Sequence, residues 1–355
     1  MTMNNKITFD RVISWDNMLE AYNNTQKGPP KHKKAAIEFK QNEIENLLVL
    51  RQEIIDGTYE HGPYTQFKVY EPKERTIFAP CYRDKIVHHM LYLVLRDYYE
   101  LIFINDSYSC IRGKGNQRAV KRVQHYMRKI QWENPDNKTY VVKTDVSKFF
   151  PSIDRQILKT VLKKKIQCPK VLALLFYIID SCPGTKGLPL GNVTSQILTN
   201  ILMNEFDQYV KHTLRIRYYI RYADDMFFFV HDFEEADRVI YSTKYFIQDR
   251  LNLTLSNKKI IKRPIRKGIV GLGFKIFPTH ILLTSKAKTR LKRKLSTIAT
   301  RINAGENKNI INQELCSSVD FIRLSNSFNF LREIVSQYSF LVEKNNQLKI
   351  KEESA

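Results

Sequence analysis

The sequence predicts an α+β fold in which a small antiparallel sheet is backed by helices. One observation behind this prediction is the order of patterns in the centre of the chain, where strand, two helices, hairpin, helix and strand follow one another. The other is composition, because 43% of the 355 residues are hydrophobic, including 20 Phe and 19 Tyr. A chain of this length and composition can bury a large core divided among two or three subdomains.

The N-terminal third is predicted to be helical around one β-hairpin. Residues 9–24 and 35–55 carry apolar side chains at helical spacing, with a basic Gly-Pro-Pro break between them. Residues 57–80 predict a hairpin whose turn contains Pro-Lys-Glu. A strongly apolar helix at 83–102 follows, and a Gly-rich turn then leads into a basic helix within 107–129.

The rest of the chain alternates apolar strands with helices. One strand ends at Asp145, and the thirteen residues at 218–230, ten of them apolar or aromatic, predict a tight hairpin. The remaining predictions are helices at 155–166, 170–182 and 234–253, a Gly-Pro loop with a long helix at 186–213, a second hairpin at 268–284, a basic helical stretch from 286 to about 343, and a polar tail.

The net charge of the chain predicts a polyanionic partner. Lys and Arg number 58 against 36 Asp and Glu, which gives +22 at pH 7. Self-repulsion of this size favours a nucleic-acid partner over the alternative of a generic basic surface. Five widely spaced cysteines without a CxxC motif argue against disulfides and zinc, and the polar N-terminus shows no signal peptide. Since no apolar run approaches the roughly 20 residues needed to span a bilayer, we expect a cytoplasmic protein without a membrane partner.

Two adjacent carboxylates interrupt the aromatic segment at 218–230. Burying Asp224 and Asp225 there is costly unless something pairs with them. If the hairpin neighbours the strand that ends at Asp145, the three carboxylates can meet, and a hard divalent cation such as Mg²⁺ would relieve their repulsion. Two such ions clamp the attacking and leaving oxygens of a phosphoryl transfer. Each aspartate alone could simply form a turn, but the three together favour the metal site.

Seven sequence blocks follow one another between about residues 60 and 280: KERTIFAPCYRDKIVHHML, SYSCIRGKGNQRAV, TYVVKTDVSKFFPSI, GLPLGNVTSQ, YIRYADDMFFF, LTLSNKKI and VGLGFKIFP. In this order they resemble the finger and palm motifs of reverse transcriptases. The resemblance is greatest to the enzymes of diversity-generating retroelements, which typically carry GxxxSQ where other families carry QGxxxSP. Residues 190–196 read LGNVTSQ. Some defence-associated bacterial reverse transcriptases are close relatives of that group.

The resemblance implies a right-hand polymerase with fingers, palm and thumb. Its divisions would be an N-terminal helical extension at 1–57, fingers at 58–135, a palm with a small antiparallel sheet at 136–280 that includes finger-derived helices at about 155–182, a basic helical thumb at 281–345, and the polar tail at 346–355. With the thumb ending there, we expect no room for a ribonuclease H, endonuclease or large maturase domain.

The resemblance also assigns the catalytic residues. Asp145, Asp224 and Asp225 match the catalytic triad, with Asp145 and Asp224 as main metal ligands and Asp225 in support. The carbonyl of Val146 would complete the coordination of two Mg²⁺ ions, for which Mn²⁺ is an alternative.

A nucleotide-binding group is implied around this triad. Phe150 matches the residue under the incoming sugar, where a bulky side chain rejects a 2′-hydroxyl, although core packing alone is the alternative. Gly191 would let the backbone approach the nascent base pair. Leu190 stands where retroviral enzymes have Gln, and losing that polar contact implies low fidelity.

Cations complete the implied nucleotide site. Arg75 matches the finger arginine at the base and triphosphate, and Lys73 on the same hairpin is a candidate phosphate contact. Ordinary edge-strand charges are the alternative for both. Lys259 matches the lysine of the nucleotide site, with Lys258 as the other register.

The nucleic-acid contacts implied by the resemblance lie outside the triad. Arg112 and Lys114 in the Gly-rich turn would touch the template, or the turn is only a turn. The others are Tyr222 beside the primer end, Gly271 and Gly273 in the primer grip, and Lys288, Lys292 and Arg293 in the thumb.

The implied partners are an RNA template, a DNA or RNA primer and deoxynucleoside triphosphates. A small polymerase of this kind also predicts a structured noncoding RNA, a small basic accessory protein or a homo-oligomer, in a bacterial or phage setting. Three roles stay open: mutagenic copying in a diversity-generating retroelement, antiviral defence with a noncoding RNA or non-templated DNA synthesis, and an inactive nucleic-acid-binding scaffold. The intact aspartate set argues against the scaffold.

Overall fold

The computed structural model describes residues 6–27, 34–70, 74–135, 138–304 and 308–338. The helices of this part of the chain are α1 (Phe9–Val12), α2 (Trp15–Thr25), α3 (Lys34–Gln41), α4 (Glu43–Asp56), α5 (Tyr82–Tyr99), α6 (Asn116–Glu133), α7 (Phe149–Ser152), α8 (Arg155–Lys163), α9 (Pro169–Asp180), α10 (Val193–Gln208), α11 (Phe233–Asp249), α12 (Ser285–Asn303), α13 (Lys308–Arg323) and α14 (Phe328–Gln337). The strands are β1 (Thr65–Val69), β2 (Arg75–Ala79), β3 (Tyr140–Asp145), β4 (Tyr218–Tyr222), β5 (Asp225–Val230), β6 (Ile261–Pro264), β7 (Ile269–Gly271), β8 (Phe274–Ile276) and β9 (Ile281–Leu283).

In the part of the chain that the structure describes, three antiparallel sheets and their flanking helices confirm the α+β prediction. The first sheet is the β1–β2 hairpin, and its predicted turn at 71–73 lies outside the described residues. The central sheet has the strand order β4-β5-β3-β6, and the third has the order β7-β8-β9. Among the described residues, none of the helices is long and apolar enough to cross a bilayer.

The helices of the N-terminal part form where periodicity predicted them. The Ser14 side chain accepts a hydrogen bond from the Asn17 backbone N–H and starts α2, whose apolar face packs on α5. The chain leaves α4 through Gly57 in the left-handed conformation, at φ 73°. The basic break at 28–33 falls outside the described residues.

The central sheet separates two hydrophobic cores, because its strands alternate their side chains. On β5, Phe227 and Phe229 enter the core shared with α6, the third sheet and α12–α14. Met226, Phe228 and Val230 enter the opposite core, which contains α5 and α8–α11. Both faces are covered, which explains the nearly continuous apolar run in this strand.

The structure corrects one expectation and adds detail at two other places. Residues 261–264 form β6, an edge strand that the short IKRP sequence did not indicate; Pro264 is tolerated because an edge strand has a free side. Residues 268–284 form three short strands instead of one hairpin. The basic stretch from 286 consists of α12, α13 and α14 in the described residues, and the polar residues Ser325, Asn326 and Ser327 lie between α13 and α14. The polar tail lies outside the described residues, and the boundaries of fingers, palm and thumb stay predictions.

Candidate active site

Three carboxylates meet at one edge of the central sheet. Asp145 ends β3 and Asp225 begins β5, and the two residues are direct partners in the antiparallel register. Asp224 lies in the two-residue turn between β4 and β5. The sheet therefore brings together the three aspartates singled out from the sequence.

The turn that carries Asp224 is held in an uncommon backbone conformation. Ala223 has φ 54°, a left-handed value that residues with a side chain seldom adopt. Its carbonyl accepts a hydrogen bond from Nη1 of Arg221 at 3.2 Å. The guanidinium thus supports the turn from inside the protein.

Arg221 is fully buried and belongs to a closed polar network. Its Nε and Nη2 donate to both carboxylate oxygens of Asp207 at 2.7–2.9 Å, and Nη1 donates to Oδ1 of Asn200 at 3.0 Å. The Tyr219 hydroxyl donates to the same carboxylate at 2.8 Å. Sequence reasoning missed this network. Arg221 lies two positions after Tyr219, on the same buried face of β4, and a buried charge requires a partner of opposite charge or a set of hydrogen bonds.

Burial and charge repulsion perturb the central carboxylate. Burial first, and then the neighbouring Asp145 and Asp225 carboxylates, raise the pKa of Asp224 to about 6. The Lys259 ammonium acts in the opposite direction. A cation placed in this group would relieve the same repulsion.

Two lysines already neutralise part of this charge. The Lys259 ammonium is 2.5 Å from Oδ1 of Asp145, while Lys258 is exposed; the nucleotide-binding role of either lysine stays a prediction. The Lys143 ammonium is 2.8 Å from Oδ1 of Asp225. Sequence reasoning did not single out Lys143, although it lies two positions before Asp145 and therefore on the same face of β3.

The oxygens of the site fit a hard divalent cation. The Lys143 contact lacks hydrogen-bond alignment, so Oδ1 of Asp225 is buried with no hydrogen-bond donor among the described residues. Val146 is paired with Leu255 in an antiparallel bridge. The two hydrogen bonds of this bridge are made by the flanking residues: Ser147 N–H donates to the Thr254 carbonyl, and Ser256 N–H donates to the Asp145 carbonyl. The Val146 carbonyl therefore points away from that neighbour, towards the side of β5.

Coordination is not preformed. Within the described ranges, no three His, Cys, Asp or Glu side chains already stand in a metal-binding arrangement. Two of the three carboxylates are held by lysines instead. A site of all-oxygen donors with one poorly satisfied carboxylate oxygen still has the chemistry that Mg²⁺ prefers.

The loop before α10 contacts the β1–β2 hairpin. The Leu190 carbonyl accepts a hydrogen bond from Phe78 N–H at 3.3 Å. Gly191 has φ 107°, and a Cβ there would lie 2.9 Å from Cγ2 of Ile77. Phe150 is partly exposed and packs edge-on against the buried ring of Phe149 at 5.6 Å, so one ring of the pair serves the core.

Two cations of the β1–β2 hairpin, Arg75 and Lys73, were expected to bind the triphosphate. Arg75 is the exposed first residue of β2. Lys73 lies outside the described residues. Neither is brought next to the aspartates by any described contact.

Of the expected primer-end residues, the structure places Tyr222 next to a site carboxylate and packs Gly271 and Gly273 against aromatic rings. Tyr222 ends β4 opposite Asp225 and is partly buried, and burial raises its pKa. A Cβ on Gly271 would lie 2.6 Å from Cζ of Phe227, and one on Gly273, where φ is 90°, would lie 2.9 Å from Cζ of Phe321. The close approach of these rings is a packing reason for both glycines.

The remaining expected contacts are cations in the Gly-rich turn and in α12. The Arg112 side chain is 65% exposed, and its Nη2 lies 3.7 Å from Oδ1 of Asp97. The Lys114 ammonium donates to the Asn105 carbonyl and lies 5.4 Å from the Tyr108 ring centre. In α12, Arg293 is exposed. By contrast, the Lys292 ammonium pairs with Glu333, and both Lys288 and Lys292 lie over the Phe330 ring, at 5.5 and 5.9 Å.

Residues 68–276, more than half of the chain, match the sequence model of the family described as reverse transcriptase (RNA-dependent DNA polymerase). Protein YkfC of Escherichia coli (strain K12) is 27% identical over 180 residues, which cover 46% of this chain and 45% of YkfC. The group II intron-encoded protein LtrA of Lactococcus lactis subsp. cremoris is 23% identical over 183 residues, which cover 48% of this chain and 29% of LtrA. The chain thus spans less than half the length of these curated relatives.

Solved telomerase structures share the fold at low sequence identity. Apo telomerase from Candida tropicalis aligns with 83% of this chain and 61% of its own, at 11% identity and a TM-score of 0.50. Telomerase from Candida albicans, in complex with the TWJ fragment of telomeric RNA, aligns with 85% and 61%, at 12% identity and a TM-score of 0.50.

Proposed function

We propose that this chain, which belongs to the reverse transcriptase (RNA-dependent DNA polymerase) family, is an RNA-directed DNA polymerase that extends a primer with deoxynucleotides. The observation that carries the proposal is the meeting of Asp145, Asp224 and Asp225 at one edge of the central sheet. The net charge of +22 suits an RNA template and a primer.

The reaction is a phosphoryl transfer. The primer 3′-hydroxyl loses its proton to solvent, and its oxygen forms a bond to the α-phosphorus of the nucleoside triphosphate. The bond from that phosphorus to the bridging oxygen breaks, and pyrophosphate leaves. Asp145, Asp224 and the Val146 carbonyl would hold two Mg²⁺ ions, with Asp225 in support. Bound divalent ions lower the pKa of the attacking hydroxyl and stabilise the charge on the phosphate oxygens.

Protein side chains position the substrates. The buried Arg221 network holds the turn that aims Asp224, and the Lys259 ammonium holds the Asp145 carboxylate in place through its contact with Oδ1. Arg75 and Lys73 would bind the triphosphate from the fingers hairpin, and Phe150 would exclude a ribose 2′-hydroxyl.

We further propose low-fidelity synthesis in a diversity-generating retroelement. The support is the LGNVTSQ stretch, in which apolar Leu190 stands beside Gly191 at the loop that contacts β2. An apolar side chain there offers no polar check on the incoming base. A structured noncoding RNA or a small basic accessory protein would be the natural partner, with antiviral defence as the competing role.

A single experiment tests both levels of this proposal. The purified chain receives a primed RNA template, Mg²⁺ and labelled deoxynucleotides, and the product is sequenced. We expect incorporation by the wild type and none by Asp224→Asn, with misincorporation concentrated opposite template adenines. Absence of incorporation with every primer and template would refute the polymerase, and faithful copying of adenines would remove the mutagenic role and favour the defence role.

A further inference from the structure

One face of α6 carries a stripe of three cationic side chains and a histidine that ends in an exposed tryptophan. Residues Arg118, Lys121, His125, Arg128 and Trp132 follow at spacings of three and four, so they share one face of the helix. Each of the five is exposed, and Trp132 is 81% exposed, the highest value among the exposed large hydrophobic side chains of the described residues. We refer to these five residues as the α6 stripe.

A pocket of about 420 Å³ opens beside the middle of the stripe. Its walls come from α6, the turn between β8 and β9, and the segment after α13. The polar lining is Lys121, Gln124, His125, Arg128, Thr279 and Asn326, and within the described residues no Asp or Glu lines it. The pocket can therefore take an anionic group without a competing carboxylate.

The surface is held in place because α6 is anchored by its buried face and by the turn between β8 and β9. Its buried face packs on the central sheet, among the second core. The Gln124 amide donates to the Phe277 carbonyl at 3.1 Å, and Nε of Arg128 donates to the Pro278 carbonyl at 2.5 Å. A preformed surface of this kind needs little ordering on binding.

The stripe also leads away from the catalytic edge. The Asn116 amide, at the start of α6, donates to the Leu272 carbonyl beside Gly271 and Gly273. At the other end of the helix, Glu133 accepts from the Tyr218 hydroxyl, at the end of β4 that is remote from Asp225. From Arg118 to Trp132 the helix rises about 21 Å, which is long enough for several nucleotides.

We propose that the α6 stripe binds a single-stranded segment of nucleic acid outside the catalytic cleft. The cations would neutralise successive phosphates, the pocket would receive one nucleotide, and Trp132 would stack on an unpaired base. An exposed indole at the end of a row of basic residues fits an unstacked base better than a duplex, whose bases are covered, or a run of acidic side chains, which have no ring to stack. The inference rests on the proposed function only in taking the strand as template or product.

Intrinsic fluorescence can report this contact directly, because the chain has two tryptophans. The Trp15→Phe variant leaves Trp132 as the reporter, and Trp132→Phe leaves Trp15, which lies in the N-terminal helices against Arg51. Oligouridylate of about 10 nucleotides is titrated into each variant, with a DNA oligonucleotide, duplex RNA and a polyglutamate peptide as separate arms. We expect single strands to quench Trp132 and leave Trp15 unchanged, and the ratio of RNA to DNA affinity identifies the strand that is bound.

Affinity measurements by fluorescence anisotropy give the energetic test. Trp132→Ala is expected to weaken single-strand binding at least about 5-fold. Lys121→Ala is expected to lower the slope of log affinity against log salt by about 0.7. Lys244→Ala, an exposed lysine on α11, is the matched control and should change neither quantity.

Three outcomes would overturn the inference: equal quenching by duplex RNA, equal quenching by polyglutamate, or no difference between Lys121→Ala and Lys244→Ala. The Asp224→Asn variant keeps the two proposals separate. If it loses nucleotide incorporation and retains Trp132 quenching, both stand. Incorporation by the wild type without quenching removes only the stripe, and quenching without incorporation removes only the polymerase.

Discussion

Replacing Asp224 by asparagine is expected to stabilise the folded protein above pH 6 while abolishing nucleotide incorporation. Burial and the Asp145 and Asp225 carboxylates raise the pKa of Asp224 from 3.8 to about 6. A pKa difference of that size means that the folded protein with a charged Asp224 is destabilised by about 3 kcal/mol. Asparagine has nearly the same shape without the charge, so it removes this cost.

The pH dependence has a definite sign. Because the folded-state pKa lies above the unfolded-state value, the folded wild type binds more protons between about pH 4 and pH 6. Its stability from this group is fully present below pH 4 and is lost as the pH rises through 6. The advantage of asparagine should therefore be about 3 kcal/mol at pH 8 and close to zero at pH 4.

Urea unfolding of both proteins at pH 4 and pH 8, with a chelator present, measures the difference. Asp249→Asn, at a half-exposed aspartate on the end of α11, is the matched control and should change stability little at either pH. An Asp224→Asn variant that is no more stable than wild type at pH 8, or that gains equally at pH 4, would refute the reasoning.

The remaining predictions concern the supports of the site. Asp207→Asn leaves Arg221 buried with half of its ion pair gone, and we expect a loss of about 3–5 kcal/mol in urea unfolding; a loss below 1 kcal/mol would contradict the buried network. Lys259→Ala removes the cation that opposes the rise in the pKa of Asp224, so the acidic limb of the pH–rate profile should move to higher pH. The same change at the exposed lysine one position earlier should leave that limb in place. Phe150→Val should raise ribonucleotide incorporation relative to deoxynucleotide incorporation about 10-fold or more, and an unchanged ratio of kcat/KM values would exclude the proposed sugar contact.

Local patterns predicted most of the elements and the position of the three carboxylates along the chain. The strand ending at Asp145 and the hairpin turn at Asp224 were both found where the sequence indicated them. Alternation and turn propensity act over a few residues, so they can be recognised without the rest of the fold. The same reasoning failed for β6, because four residues around a proline form a strand only where β3 offers its edge.

What the sequence by itself determined was the set of groups and their local setting: aromatic strands, a carboxylate at the end of each, and an excess of positive charge. Only the tertiary structure decided which groups meet. The pairing of Asp145 with Asp225, the contact of Lys259 with Asp145 across 114 positions, and the enclosure of Arg221 by Asp207 depend on strand register and on helix packing. Register and packing are set by the burial of whole faces, and that burial is a property of the assembled chain.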